Sequence, residues 1–495
     1  MPISFENIPN ALRVPIFYAE FSSGGTPFNS AERLLLIGQK LPAGTAVLDT
    51  PVLVSGGSLI EETMFGSGSM LSDMVKAARK NAPLQEIWAL PVTDNGAGVT
   101  ATGTITLTSM TLPVTAATTL TTYIGGRKYE VPVSTTATAT TLGALLIADI
   151  NADTGAAVTA TNAAGVVTVT AKQKGTLGNT IDLRGNLYGN ESISSSQVTY
   201  TAMAGGAANP VLTAGLANLA DADFLWIANP YTDAVSIAAM SAFMNDAAGR
   251  WSPTSQLYGH VLSVVFNTVG NLSTLGNSLN DRHLSLLGVN KSPSPSWAWT
   301  AALASTAAQH LSSAPELSRP LQFLTLQGIM APAISDRFTL TDKNTLLYDG
   351  IGTYTVARDG SVQVERAITT YQTNPQGSGD ATFLDVQTLA QSQFAIRYLR
   401  QKVLSRHGRT ALANDTAAPQ NGVTRPRDVR NTLIAGYAEL AGLAVVENQS
   451  VFEKSLIVER NATDANRIDV SLPMDVVNQL RVIAIAASVS LQFAA

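Results

Sequence analysis

Arg33-Leu34-Leu35-Leu36-Ile37-Gly38 places four aliphatic side chains in a row and closes them with a glycine. Neighbouring side chains of a strand point to opposite faces, so an unbroken apolar run leaves no face for water. It reads as a strand covered on both sides, as in a parallel sheet under helices. Glu86-Ile87-Trp88-Ala89-Leu90-Pro91-Val92, Phe224-Leu225-Trp226-Ile227-Ala228, Val261-Leu262-Ser263-Val264-Val265-Phe266 and Leu284 to Val289 repeat the pattern, and Val52-Leu53-Val54 is a shorter piece. Helical spacing falls between these runs. Ser69 reads as an N-cap, followed by Leu71, Met74, Val75 and Ala78 on one face. Arg79 and Lys80 stand in the last turn, where cations oppose the helix dipole. Ala234 to Gly249 reads as a helix, as does the alanine-rich Trp297 to Leu311 after the turn Pro293-Ser294-Pro295-Ser296. Strand, helix and strand in this repeated order predict an α/β fold.

From Thr93-Asp94-Asn95-Gly96-Ala97-Gly98 onward the composition changes. Between residues 97 and 205 Thr, Ala, Val and Gly dominate, and Phe and Trp are absent. Thr104-Ile105-Thr106-Leu107-Thr108, Tyr129-Glu130-Val131-Pro132-Val133 and Val166-Val167-Thr168-Val169-Thr170-Ala171 alternate, the signature of half-buried antiparallel strands. Thr141 to Ile150 reads as one short helix. The segment is expected to be a small β-rich domain inserted in a surface loop of the α/β domain.

A third region is expected from about residue 350. Asp349 to Val356 and Asp359 to Arg366 give a hairpin signal with Arg358-Asp359-Gly360 as the turn, and a long helix follows from about Phe383 to His407. Both termini carry strand patterns without an obvious local partner: Val14, Ile16 and Tyr18 in a run with Pro15 near its start, then Ile468, Val470 and Leu472, and finally Val489, Leu491 and Phe493. Unpaired strand edges are sticky, and one resolution is donation to a neighbouring subunit's sheet. The expected partition is an N-terminal arm over 1–30, an α/β core over 31–96 and 206–349, the insert at 97–205, an α+β C-terminal domain over 350–472 and a C-terminal arm over 473–495.

Composition narrows the function. A chain of 495 residues suggests about three domains. Charged residues are 14% of the chain, against roughly 25% in ordinary soluble domains. Much of the surface must therefore be neutral, which suits a subunit covered by partners. With 31 basic and 36 acidic residues, the net charge of −5 argues against a nucleic-acid coat. The absence of cysteine excludes disulfides, thiolate nucleophiles and Cys-ligated metal centres. His260, His283, His310 and His407 are widely spaced with no HExxH pattern, so no metal or cofactor is expected. The start has neither a basic nor an apolar signal region, and Val482 to Ala487 is far shorter than the roughly 20 residues that span a bilayer. A cytoplasmic product with no membrane partner is the expectation.

Gly66-Ser67-Gly68-Ser69-Met70 precedes a helix in the manner of a phosphate loop, but no Lys-Ser/Thr follows, so it reads as a capping turn. Gly68-Ser69-Met70 faintly resembles a serine-protease loop, without a histidine motif to activate it. Asp336, Asp380, Asp385 and Asp469 are available for acid–base pairing but have no spacing that identifies a pair; Arg467 and Asp469 share a strand face and suggest cross-strand or intersubunit ion pairing. Arg397, Arg400, Lys402, Arg406 and Arg409, with His407, cluster on and just after the long helix. They suggest an electrostatic face for an acidic partner or simply a solvated helix face.

Several runs together resemble the tail sheath proteins of contractile phages, the Mu-like group in particular. In the C-terminal third they are Asp359-Gly360-Ser361-Val362-Gln363-Val364-Glu365-Arg366, Thr369 to Asn374, Asp385-Val386-Gln387-Thr388-Leu389, Val446-Glu447-Asn448 and Val458-Glu459-Arg460-Asn461. Asn466 to Val470, Pro473 and Val477-Asn478-Gln479-Leu480-Arg481-Val482 complete that set. Earlier in the chain they are Ile8-Pro9, Arg13-Val14-Pro15, Phe65 to Leu71 and Glu86 to Pro91, and the insert's Asn179 to Arg184 is similar too. The resemblance implies a subtilisin-like α/β core without protease function, and a structural, non-enzymatic subunit stacked in six-fold rings with copies of itself around a tail tube protein. It further implies baseplate and tail terminator partners, terminal arms that add strands to neighbours, assembly in the host bacterial cytoplasm and residence in the virion. Under it, the basic cluster Arg397 to Arg409 becomes a candidate tube-facing surface. A bacteriocin-like injection machine, a monomeric binding protein with an adhesin-like β domain, and a serine hydrolase are the alternatives.

Overall fold

In the computed structural model, which describes residues 32–57, 59–187, 193 and 197–489, β1 (Arg33–Gly38) runs through the middle of an eight-stranded sheet with Leu34 to Ile37 wholly buried. β2 (Val52–Leu53), α1 (Ile60–Phe65), α2 (Met70–Asn81) and β3 (Glu86–Pro91) follow. Ser69 caps α2, its Oγ accepting the Ser72 N–H at 3.1 Å. The crossover through α2 returns β3 parallel to β1, with Leu34 opposite Ile87 and Ile37 opposite Leu90.

Seven strands and a helix then leave the sheet: β4 (Thr100–Thr106), β5 (Thr118–Ile124), β6 (Arg127–Val133), α3 (Ala139–Ala152), β7 (Val158–Ala163), β8 (Val166–Lys174), β9 (Leu183–Gly185) and β10 (Thr199–Ala204). They pair among themselves as two antiparallel sheets, ordered β10-β4-β8-β7 and β6-β5-β9. In β8 buried and half-buried residues alternate along the strand, as its Val/Thr alternation requires.

The chain re-enters through α4 (Thr213–Ala217) and β11 (Trp226–Ala228), then α5 (Ala234–Met244), β12 (His260–Phe266), α6 (Val269–Asn277), β13 (Leu284–Val289), α7 (Ser296–His310), α8 (Leu340–Tyr348), β14 (Ile351–Val356) and β15 (Val362–Arg366). The order across the large sheet is β15-β14-β13-β12-β11-β1-β3-β2, parallel from β14 to β3 and antiparallel at both edges. α7 is buried from Thr300 to Ala308 and packs against α2, β1, β11 and β12; its alanines allow that close approach.

Two expectations change here. The hairpin from residue 350, expected to open the C-terminal domain, adds to the core sheet instead: Leu286 and Leu287 of β13 pair in parallel with Ile351 and Gly352. Its alternation does not mark a wet face: Ile351, Thr353 and Tyr354 of β14 are all buried, and residues 323–326 hydrogen-bond along the far side of β15. The helix expected to reach Gly249 stops at Met244, because the Asn245 Oδ1 accepts the N–H groups of Ala247, Ala248 and Gly249 and turns the chain.

The remainder comprises α9 (Val386–His407), β16 (Ala411–Leu412), β17 (Val423–Thr424), α10 (Pro426–Gly442), α11 (Gln449–Ser455), β18 (Ile457–Arg460) and β19 (Ile468–Ser471). These elements build a second core of their own around Leu399, Leu433, Tyr437, Leu440, Val446 and Phe452.

Candidate functional site

The C-terminal elements end in a tail that is first fastened and then free. Val477 donates its N–H to the Val445 carbonyl, and Glu447 donates to the Asp475 carbonyl, so residues 475–477 lie along 445–447. The Tyr437 hydroxyl donates to the Glu447 carbonyl at 2.8 Å and accepts the Asp475 N–H at 3.2 Å. The buried Gln391 of α9 donates to the Val477 carbonyl at 2.8 Å and accepts from Gln479 Nε2 at 3.1 Å.

The last fastening is Arg481. Its Nη2 donates to Asp385 Oδ1 at 2.8 Å and to Gln387 Oε1 at 3.0 Å. Asp385 stands at the N-cap of α9, yet its side chain caps no helix N–H. Its carboxylate instead receives a fork from Arg366, at 3.1 Å from Nε and 3.0 Å from Nη2. Burial pulls the Arg481 pKa below its ordinary value, with the Asp385 charge acting the other way.

Beyond Arg481 the side chains turn outward: Val482, Ile483, Ile485 and Val489 are 72–92% exposed. Among the described residues, no backbone hydrogen bond ties 478–489 to the rest of the chain. Among the described residues, this apolar, strand-patterned segment with both its backbone and its side chains open is the strongest unpartnered feature.

The expected arm residues divide accordingly. Val14, Ile16, Tyr18, Leu491 and Phe493 lie outside the described residues. Val489 is exposed and in no strand. Ile468 and Val470 do have a local partner, which corrects the expectation of an orphan strand: β19 pairs antiparallel with β18, Ile468 opposite Arg460 and Val470 opposite Val458. Ile468 and Leu472 also pack on the second core, whereas Val470 is 43% exposed. The short run Ile457 to Arg460 gave too little alternation to reveal the partner. Arg467 bonds to Asp469 on its own strand, not across strands.

The basic cluster is not one face. At 100° per residue, Arg397 and Lys402 point about 140° apart on α9. Arg397 pairs with Asp223 at 2.7 Å and ties α9 to the core, and Lys402 pairs with Glu439 of α10 at 2.7 Å. Arg400, Arg406 and Arg409 are exposed and make no ion pair among the described residues.

The catalytic candidates find structural partners. Gly68 has φ +75°, and a Cβ there would meet the Ala156 carbonyl oxygen at 2.3 Å, so the insert sits on the loop that a phosphate would need. Open α/β sheets bind ligands beyond the carboxyl ends of the strands where the strand order reverses. That point lies between β1 and β11. Gln39 fills it, donating to Asp94 at 2.7 Å and to the Lys174 carbonyl of the insert at 3.0 Å, and accepting from Tyr231 at 3.2 Å. His260 and Ser285 share a 2.8 Å hydrogen bond, but both are buried in the core sheet, and burial lowers the His260 pKa to about 3. His283 meets Asp246, His310 meets Glu316, and His407 lies between Thr424 and Thr432. Asp380 accepts from Tyr371 at 2.7 Å, and Asp336 closes a short 3-10 turn. Among the described residues there is no cluster of metal-ligating side chains, and no helix is long and apolar enough to cross a membrane.

Residues 205–370 match the phage tail sheath protein central domain, and residues 378–490 match the phage tail sheath C-terminal domain. The Mu-like prophage FluMu tail sheath protein of Haemophilus influenzae is 35% identical over 98% of this chain and 99% of its own. The chain belongs to the phage tail sheath family. Among solved structures, the sheath tail protein of Desulfitobacterium hafniense is similar at 14% identity, covering 94% of this sheath chain and 97% of that one, with a TM-score of 0.49. The sheath tail protein of Listeria innocua is similar at 14% identity, covering 91% and 92%, also at 0.49.

Proposed function

We propose that this sheath protein polymerises helically, in rings of copies of itself, around a tail tube, and that it contracts to drive the tube through a host envelope. Its work is conformational. Subunits assemble extended and metastable, and a signal from the baseplate releases them into a shorter, wider packing that buries more surface. The observation that carries this reading is the tail beyond Arg481, whose apolar side chains and unused backbone groups suit pairing with a neighbour's sheet. Main-chain pairing makes a joint that persists while side-chain contacts are exchanged. The hairpin β18–β19 offers open edges of the kind such a strand needs.

In this reading the core sheet is a subtilisin-like scaffold without protease function, the insert at 97–205 is a separate domain facing away from the tube, and residues 1–30 form a second arm. Arg400, Arg406 and Arg409 are the members of the basic cluster left to face the tube. Tube, baseplate and tail terminator proteins are the partners, with assembly in the host cytoplasm and residence in the virion. The test is negative-stain electron microscopy with sedimentation of the purified chain, alone and with the tube protein of the same phage. Hollow, helically striated tubes are expected. A uniform 51.8-kDa particle under both conditions overturns the proposal.

A further inference from the structure

Asp385 joins three parts of the molecule that are far apart in sequence. Arg366 ends β15, the edge strand of the core sheet; Asp385 starts α9; Arg481 is the last fastened residue of the tail. The Arg366 fork is bidentate, and all three side chains are largely shielded, at 29%, 15% and 13% exposure. Charge-assisted pairs of this geometry are directional and strong, and shielding from water protects them from salt.

We propose that the Arg366–Asp385–Arg481 clasp is the joint through which pull on the C-terminal tail enters the core sheet. This rests on the reading of the tail as an arm held by a neighbouring subunit. Without the clasp, tension on residue 482 would peel residues 475–481 from residues 445–447, Tyr437 and Gln391 one hydrogen bond at a time, and would then reach β19 in the smaller C-terminal core. With it, tension bypasses that route. It passes from the Arg481 guanidinium to the Asp385 carboxylate, and from there to the Arg366 guanidinium at the rim of the eight-stranded sheet. Cores that must rotate as rigid bodies while their arms stay connected need such a direct path. The Gln391 bonds to Val477 and Gln479 hold the tail in place beside the clasp, but they lead into α9 and, through Gln391 Nε2 and Ser318 Oγ at 3.0 Å, to a segment packed on the second core rather than to the sheet.

Two substitutions separate a joint from a local anchor. Arg481→Ala removes the tail's outermost hold and lets the remaining fastenings fray from that end, so the Val477 and Glu447 amides should exchange with deuterium about ten-fold faster in the unassembled full chain. Arg366→Ala touches no tail residue and removes a like charge beside Arg481, so those amides should stay protected. Both variants should nevertheless form tubes that break under a fixed shear into shorter pieces than wild-type tubes, read as mean length by electron microscopy. Circular dichroism and thermal melting first establish that each variant folds, and Arg366→Lys and Arg481→Lys replace any that does not. Tubes of either variant as shear-resistant as wild type overturn the proposal, as does unchanged amide protection in Arg481→Ala. Absence of tubes from the wild-type chain counts instead against the sheath reading, and the exchange result then judges the clasp alone.

Discussion

The rings of Tyr437 and Phe452 lie face to face, with centroids 3.7 Å apart and planes 7° from parallel. The pair holds α10 against α11, and the Tyr437 hydroxyl reaches past it to the two strands of chain at Glu447 and Asp475. One residue therefore serves both the second core and the root of the tail. Phe452→Ala should cost about 3–5 kcal/mol, the usual range for emptying a buried aromatic site. Tyr437→Phe should cost only about 1 kcal/mol, but it leaves the Glu447 carbonyl and the Asp475 N–H without their shared partner. Urea unfolding followed by circular dichroism reads the first effect, and amide exchange at Asp475 reads the second.

His260 gives the chain an acid-sensitive element. It is buried between β11 and β13 with its Nε2 on Ser285, and burial lowers its pKa from 6.5 to about 3. The unfolded chain therefore binds a proton near pH 6.5 that the folded chain refuses. The stability this group confers is complete above pH 6.5 and is lost as the pH falls towards 3. Relative to a His260→Gln variant, wild type should lose about 2 kcal/mol between pH 7 and pH 5. Parallel denaturant titrations at the two pH values measure the difference, and an equal response of both proteins excludes His260 as the cause.

Asp73 acts in the opposite sense. It projects from α2 into the seam between the core and the insert, accepting a long 3.4 Å bond from Trp297 Nε1. Desolvation raises its pKa from 3.8 to about 6, against the pull of Arg127, Lys76 and Lys172. A raised carboxyl pKa means the charged form is a burden on the folded state, full above pH 6 and gone below about 4. Asp73→Asn should therefore stabilise the protein at pH 8 by about 2 kcal/mol, discounted from the roughly 3 kcal/mol of a wholly buried group because the residue keeps some exposure. The gain should fade as the pH drops from 6 to 4. Thermal melts across that range show whether it does.

The order of the core was readable because burial on both faces leaves a direct mark. Leu34 to Ile37, Val261 to Phe266 and Leu284 to Val289 lack alternation because the sheet gives them no wet side. Alternation marked the insert for the converse reason. Register and partners were not readable. Nothing in Ile351 to Val356 says that its neighbour is β13, since a hairpin at a sheet edge has the same pattern as an independent one. The clasp was hidden for a related reason. Arg366, Asp385 and Arg481 occur in three separate runs, and an ion pair over 96 residues leaves no spacing rule in a single chain. The basic cluster failed differently: five charges close in sequence looked like one surface until the helical period placed Arg397 and Lys402 on different sides, each with an acid of its own.

The fastening of residues 475–481 decides where a truncation can test the arm. A cut after Leu472 would remove Asp475 from Tyr437, Val477 from Val445 and Arg481 from Asp385, and would expose the second core as well as delete the tail. Loss of assembly in that variant would not separate misfolding from a missing strand. A cut after Arg481 keeps every one of these contacts and removes only residues 482–495, the exposed apolar segment among them. The chain ending at Arg481 should melt at the wild-type temperature and sediment as a monomer where wild type forms tubes, while the chain ending at Leu472 should also melt lower. Deleting residues 1–20 should likewise leave a folded protein that does not polymerise. Regular tubes from the chain that ends at Arg481 would show that subunits join through surfaces of the folded body, and the exposed Val482, Ile483, Ile485 and Val489 would then need another partner.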